Sequence, residues 1–326
     1  MGYATNEWDQ LRKLIVGTAN CAKIPQIDSS MRLVNYADVD NIKDIPSGNY
    51  PGEVIQEANT DLEIFVNFLE GEGIEVLRPT SHSTPNPKTV SYYDYCPRDI
   101  AFVHGKHAIA TPMPIRARAF NFANIQHCFN NDLHVAPRYY EEDLYNTECL
   151  GNPDVLALNE VAPAFDAANI IRANDDLLYL VSNSGNKAGA QWLQEHTGLR
   201  VHTLEGVYSY MHIDSTIAFL REGLMLLNPS RIKDINVLPD AFRDWDYIMC
   251  PEPNEIGYYG NYNNASPWIN MNLISINPNL VCIEENQVNL AKELEKHGIE
   301  SMMLPTRHQR TLGGGFHCVT LDLERG

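Results

Sequence analysis

A chain of 326 residues, 44% hydrophobic and 20% charged, has a globular composition and the length for two domains or one large closed α/β assembly. Its net charge of −18 excludes nucleic acid and anionic membranes as partners, because both require clustered Lys and Arg. No stretch approaches the ~20 consecutive apolar residues of a membrane span, and the opening residues lack a basic segment followed by an apolar one.

In chain order, Leu14-Ile15-Val16 forms a short apolar strand. Residues 54–69 then place Ile55, Ala58, Leu62, Phe65, Val66 and Leu69 on one face, an amphipathic helix that Gly71 and Gly73 end before a strand at 74–77. Residues 100–110 read as a hairpin turning at Gly105-Lys106, followed by a weaker helical pattern over 116–129. A second hairpin, 169–181, turns at Ala173-Asn174-Asp175-Asp176 and leads to a helix over 186–196 and a strand near Val201. The third, 213–227, turns at Arg221-Glu222-Gly223, with a weaker helix over 237–245 and the strand Tyr247-Ile248-Met249 after it. A fourth, 272–283, turns at Asn277-Pro278-Asn279 and precedes a helix over 287–297, closed by Gly298, and a strand around Met302-Met303-Leu304.

The recurring unit is thus two strands around a tight turn, a helix and a further strand. Five helical patterns accompany four internal hairpins, and a fifth hairpin forms if Leu14-Ile15-Val16 pairs with Val319-Thr320-Leu321. The expected architecture is α/β, a ring of five ββαβ units closed by its own terminal strands and spanning residues 1–326 as a single domain. Seven cysteines (21, 96, 128, 149, 250, 282 and 318) without a Cys-x-x-Cys pair fit free thiols in a reducing, cytoplasmic compartment.

Such a ring gathers Asp99, Asp166, His212 and Asp214, each at or just before the first strand of a unit, with Cys318 at the corresponding point of the closing one. Cys318 follows Gly313-Gly314-Gly315-Phe316-His317, and open backbone there is expected to admit a flat, polar substrate. A guanidinium presents a planar cation with several N–H donors, which Asp99 and Asp214 would match in paired hydrogen bonds. Cys318 would attack the central carbon, His212 would protonate the departing amine, and Asp166 would orient the imidazole. An amine acceptor then gives transfer and water gives hydrolysis.

Each of these residues has a plainer use. Cysteines pack as small hydrophobes, Asp99 beside Arg98 suits a salt bridge, and Asp166 suits a cap. His212 and Asp214 would share one face of a strand, as a metal pair does, but no third ligand accompanies them. No metal and no cofactor is therefore expected. His317, adjacent to Cys318 on a strand, is expected to point to the opposite face and be buried or structural.

These residues, with their neighbours, carry a family resemblance over nearly the whole chain. Asn6-Glu7-Trp8-Asp9, Pro97-Arg98-Asp99-Ile100, Pro112-Met113 with Arg116-Ala117-Arg118, Phe165-Asp166-Ala167-Ala168, Met211-His212-Ile213-Asp214, Met271-Asn272 and Leu312-Gly313-Gly314-Gly315-Phe316-His317-Cys318 together resemble the glycine amidinotransferase family of guanidine-modifying enzymes. The resemblance implies a five-bladed α/β-propeller (the pentein fold) and ping-pong transfer of an amidino group from L-arginine, releasing L-ornithine. It further implies Cys318 as nucleophile, His212 as general acid/base with Asp166 as partner, Asp99 and Asp214 on the guanidinium, and Arg231 on the donor carboxylate. The family's Ser-Ser pair reads Ala265-Ser266 here, so only Ser266 carries over.

Residues 254–264, rich in Asn, Gly and Tyr, look like a different loop near the mouth of the site and leave the acceptor open. Glycine, giving guanidinoacetate, is the first expectation; lysine or an amino-sugar-like amine is the next. The missing targeting segment of vertebrate members implies a cytoplasmic setting, and a homodimer follows by analogy alone. One competing reading is an arginine hydrolase, a deiminase or dihydrolase with water as acceptor. Another is a non-catalytic propeller similar to a ribosome-binding translation factor. The family words at both ends argue against the first. The assembled Cys318, His212 and three aspartates argue against the second.

Overall fold

The structure, a computed structural model, describes residues 3–80, 94–130, 132–207 and 210–326. Among these residues the chain forms five three-stranded sheets and one two-stranded ladder, Lys23–Ile24 with Gly48–Asn49. In every three-stranded sheet the middle strand is antiparallel to one neighbour and parallel to the other. Leu11–Val16 lies between Thr320–Arg325 and Glu75–Leu77. His107–Ala110 lies between Ala101–His104 and His134–Val135, and Asp176–Leu180 between Ile170–Ala173 and Arg200–Leu204. Leu224–Leu227 lies between Ile217–Arg221 and Asp246–Met249, and Leu280–Glu284 between Ile274–Asn277 and Glu300–Leu304.

Local chemistry explains these elements. Gly105 (φ 56°) and Asn174 (φ 56°) supply the left-handed backbone that two-residue hairpin turns need. The long helix Gly52–Gly71 buries Ala58, Leu62, Phe65, Val66 and Leu69 of the expected stripe, with Val54 buried and Ile55 only partly so. Asn186 caps Lys187–Thr197 by accepting from Gly189 N at 2.9 Å, and Gly198 (φ 76°) ends it. The expected terminal pairing is present, with Ile15 opposite Leu321 and Val16 opposite Thr320.

The core is divided among apolar clusters, each shared by two sheets. Ile15 and Leu321 pack with Val103 and Ala108, and Phe102 and Ile109 with Ile170 and Tyr179. Ile171 and Leu178 meet Phe219 and Met225, and Leu220 and Leu226 meet Val281 and Ile283. Ile274 and Cys282 join Leu14 and Val16. No helix among the described residues is long and apolar enough to cross a membrane.

Four sequence expectations change. Residues 116–129 form three short 3-10 turns, Arg116–Arg118, Asn121–Asn124 and Gln126–Phe129, rather than one helix. Arg118 is held by Asp99 and Arg116 by the Tyr140 carbonyl, so side-chain anchors and the intervening asparagines set the backbone there. Over 237–245 only Asp240–Arg243 is helical, starting after Pro239, whose ring fits a helix start and not an interior. The third hairpin begins at Ile217, which leaves His212 and Asp214 on a loop and not on a strand face. Cys318 likewise lies in a turn, two residues before the strand that begins at Thr320.

Candidate active site

The segments that enter an outer strand in four of the five three-stranded sheets carry the acidic, histidine and cysteine side chains singled out from the sequence. Asp99 ends the turn Pro97–Asp99 ahead of Ala101–His104, and Asp166 precedes the turn Ala167–Asn169 ahead of Ile170–Ala173. His212 and Asp214 precede Ile217, and Cys318 precedes Thr320. Asp99, His212, Asp214 and Cys318 line one cavity of about 520 Å³, together with Arg231 and Ser266. Asp166, fully buried, stands behind His212 with its Oδ2 2.9 Å from Nε2. Every residue singled out from the sequence is therefore at this cavity or in contact with a residue that lines it.

At the centre, Cys318 Sγ donates to Asp214 Oδ2 at 3.1 Å. Asp99 Oδ2 is paired with Arg118 at 2.5 Å, while its Oδ1 is buried with no hydrogen-bond partner, 3.7 Å from His212 Nδ1. A buried carboxylate oxygen without a donor carries a desolvation cost that an incoming N–H group removes. At the wall, Arg231 donates to Ser215 Oγ (2.9 Å), Thr216 Oγ1 (2.8 Å) and Ser266 Oγ (3.2 Å). The salt bridge foreseen for Asp99 exists, but to Arg118 and not Arg98, which pairs with Asp322 at 2.6 Å. Asp166 makes no side-chain cap hydrogen bond, so its plainer use does not apply.

Electrostatics assign the resting charges. Burial pushes His212 down, but the Asp99 charge and the Asp166 hydrogen bond outweigh it and raise the imidazole to about 9. Asp166 itself moves up, because its complete burial exceeds the help from His212. We take the pair as imidazolium and carboxylate at neutral pH, since Asp99 and Asp214 add negative charge around the ring while Arg118 supports Asp166. Burial also pushes Asp214 up, and the His317 hydrogen bond and charge reverse this to about 2. The Cys318 thiol is held well above its ordinary value by the hydrogen bond with Cys96, by burial and by Asp214. Empty of substrate, the site holds a thiol, an imidazolium and carboxylates. Among the described residues no group of three or more His, Cys, Asp or Glu side chains is placed to hold a metal ion.

Three further residues matter to which the sequence assigns no part in the chemistry. Asn272 accepts from Cys318 N at 3.0 Å and donates to its sulfur at 3.2 Å. Arg310 ties down the mouth loop, bonding Glu255, Ile256 O, Asn263 and Ala265 O. His317, expected to face away, instead reaches Asp214 Oδ2 through Nδ1 at 3.1 Å, because a turn does not alternate its side chains as a strand does. The signal for Asn272 was its position, two residues before Ile274, equivalent to Asp99 before Ala101.

The glycines also act otherwise than expected. A Cβ on Gly314 would lie 2.4 Å from Cys96 Sγ and 3.1 Å from Cys318 Cβ, and one on Gly315 would lie 2.9 Å from Asn272. They permit close packing around the cysteine and not access by substrate; of the three, only Gly313 (φ 78°) lines the cavity.

The fold is the pentein fold. The chain belongs to the amidinotransferase family. It is 41% identical to inosamine-phosphate amidinotransferase 1 of Streptomyces glaucescens, over 98% of this chain and 95% of that one. It is 30% identical to the L-arginine:L-lysine amidinotransferase of Pseudomonas savastanoi pv. phaseolicola (98% and 93% covered) and to the mitochondrial glycine amidinotransferase of Gallus gallus (98% and 82%). Among solved structures, the inosamine-phosphate amidinotransferase of Streptomyces griseus superposes with a TM-score of 0.94 at 40% identity, covering 100% and 97% of the two chains. The DDAH of Pseudomonas aeruginosa shares the fold alone, with a TM-score of 0.61 at 15% identity over 96% and 99%. No family model matches the chain.

Proposed function

We propose that this protein transfers the amidino group of L-arginine to an amine acceptor through a covalent amidino-Cys318. The observation that carries the reading is the cavity itself. A thiol, two carboxylates (one with an unpartnered buried oxygen) and an imidazolium backed by a third carboxylate face the space where a guanidinium fits.

Asp99 and Asp214 hold the guanidinium, and Arg231, with Ser266 beside it, holds the donor carboxylate. The bound cation favours loss of the Cys318 proton to solvent, and Asn272 Nδ2 supports the resulting thiolate. Sulfur attacks the guanidinium carbon. His212 gives its proton to the departing nitrogen as the C–N bond breaks, leaving a cationic amidino thioether on Cys318, ornithine and a neutral imidazole. Asp166 orients that imidazole. An acceptor amine then attacks the same carbon, passes a proton back to His212 and expels the thiolate, which regains a proton from solvent as the new guanidinium leaves.

For the acceptor, we favour an amino-cyclitol or amino-sugar-like amine over glycine. The 41% relative is named for inosamine phosphate, while the glycine enzyme stands at 30%. The mouth offers hydroxyl-matching groups, among them Asn35, Tyr36, Asn261, Asn263 and Asn264. Glycine and lysine belong in the same screen. The five sheets are read as the blades of one closed ring over residues 1–326, supported by the apolar clusters that link each sheet to the next and the last to the first. All seven cysteines are free, which suits a reducing, cytoplasmic compartment.

Intact-protein mass spectrometry after brief mixing with arginine alone tests the reading, with Cys318→Ala as control. An amidino adduct on the wild type, with ornithine released, supports it. Citrulline or ammonia without an adduct would point to hydrolysis, and equal turnover by Cys318→Ala would end the mechanism.

A further inference from the structure

His317 is buried, and both of its ring nitrogens meet carboxylates. Nδ1 lies 3.1 Å from Asp214 Oδ2, and Nε2 lies 3.5 Å from Glu7 Oε2. Only an imidazolium offers an N–H to both. Its main chain is fixed as well, since its carbonyl accepts from Thr320 Oγ1 at 3.0 Å. Glu7 in turn is gripped by Arg172, with Nε on Oε1 and Nη2 on Oε2, each at 2.8 Å. Arg172 continues to Asp322, which also receives Arg98 and Arg325. A buried ion network thus ends on the far side of the His317 ring, and the near side touches the carboxylate that meets the nucleophile.

We propose that His317 is a positioning residue for the donor: bridging Glu7 to Asp214, it fixes the Asp214 carboxylate so that Oδ2 stays on the sulfur and Oδ1 is left to receive the guanidinium. Three groups face Asp214, namely His317, the Cys318 thiol and His212. His212 is already engaged by Asp166 and Asp99. His317 is therefore the cation that answers the buried charge of Asp214 before substrate arrives. Asp214, left to burial alone, would be pushed up and would lose the charge that attracts a guanidinium; with His317 beside it, it is held at about 2.

The inference rests on the proposed arginine chemistry, so its test begins with binding. In a Cys318→Ala background, calorimetry reads the arginine Kd with and without His317→Leu. The expected loss is roughly 10- to 100-fold, the span of one hydrogen bond to a charged group, with His317→Asn recovering part of it through its amide N–H. In the otherwise native enzyme, the acid limb of kcat/KM for arginine moves to higher pH in His317→Leu, because Asp214 then protonates earlier as pH falls. KM rises more than kcat falls.

An unchanged Kd and an unmoved acid limb in a folded His317→Leu variant overturn the proposal, even if its Tm is lower. Should the leucine variant not fold, the comparison of wild type with His317→Asn decides, and identical pH profiles there count against the proposal. Absence of arginine binding in Cys318→Ala alone would instead refute the proposed function.

Discussion

Asn272 holds Cys318 at two points, with Oδ1 on the main-chain N–H at 3.0 Å and Nδ2 on the sulfur at 3.2 Å. The cysteine is fixed by one amide from the segment ahead of the strand Ile274–Asn277, and the donor to sulfur favours thiolate over thiol. Replacing Asn272 by Asp keeps the acceptor but sets a second carboxylate against the sulfur beside Asp214. Adduct formation with arginine is expected to slow about 10- to 100-fold, the cost of losing one charge-assisted hydrogen bond, with a smaller change in arginine Kd. Rapid-quench mass spectrometry reads the rate; equal rates in Asn272→Asp and wild type would remove Asn272 from the mechanism.

The glycine preceding that contact gives a second expectation. Gly314→Ala puts a methyl 2.4 Å from Cys96 Sγ, closer than atoms pack. Activity and Tm should both fall, and adding Cys96→Ala should recover part of each, because the obstructing sulfur is gone. A thermal double-mutant cycle should show coupling of ~0.5–3 kcal/mol, the usual range for residues in contact. Strict additivity would mean that the Cys318 contact at 3.1 Å, and not Cys96, sets the penalty.

The His212–Asp166 pair predicts a pH dependence. His212 stays protonated up to about 9, so the rate of adduct formation should fall as pH rises through that value and the general acid is lost. Asp166→Asn removes the charge that stabilises the imidazolium while keeping an acceptor oxygen, so this alkaline limb should move to lower pH, with kcat reduced far more than arginine affinity. Stability follows the same sign. The contribution of His212 is complete below its unfolded value of 6.5 and is lost as pH rises through about 9. The Tm deficit of Asp166→Asn should therefore be largest between the raised titration of Asp166 and the unfolded His212 value, shrink above about 9 and also shrink in acid as Asp166 itself is protonated, as scanning calorimetry across the range will report.

Arg310 sits among Glu255, Ile256 O, Asn263 and Ala265 O, with Tyr258 stacked on its guanidinium 5.0 Å away. Arg310→Ala frees the loop whose Asn261, Asn263 and Asn264 line the cavity mouth. Acceptor KM should rise about tenfold or more, while the arginine-only adduct forms at close to the normal rate. A comparable loss in adduct formation would show that the loop serves the donor instead.

Much of this was legible because the determinants are local. The hairpin turns at Gly105 and Asn174 need left-handed backbone, and the stripe from Val54 to Leu69 needs only its own spacing. The reactive side chains were legible as chemical types. What the sequence hid depends on which local geometry a tertiary contact selects. The apolar spacing over 116–129 suits a helix, yet anchors at Asp99 and the Tyr140 carbonyl hold short turns there. His317 was placed on the wrong side because a strand was assumed where residues 316–319 turn. Asn272, although among the residues that carry the resemblance, is given no role by its chemistry, since an amide has no reactivity of its own and its value lies in where it points.

The pairing of Leu11–Val16 with Thr320–Arg325 also sets an order in time. During synthesis the parallel neighbour Glu75–Leu77 emerges early, but the partner for the other edge of Leu11–Val16 is made only when nearly the whole message has been read. At typical elongation rates of ~5–20 residues per second, that wait is roughly 15–60 s, during which an apolar edge stands open to wrong partners and to chaperones. The sulfur arrives with the closing strand. A nascent chain interrupted before that point lacks both its final edge and Cys318, so on the proposed mechanism incomplete copies form no adduct with arginine.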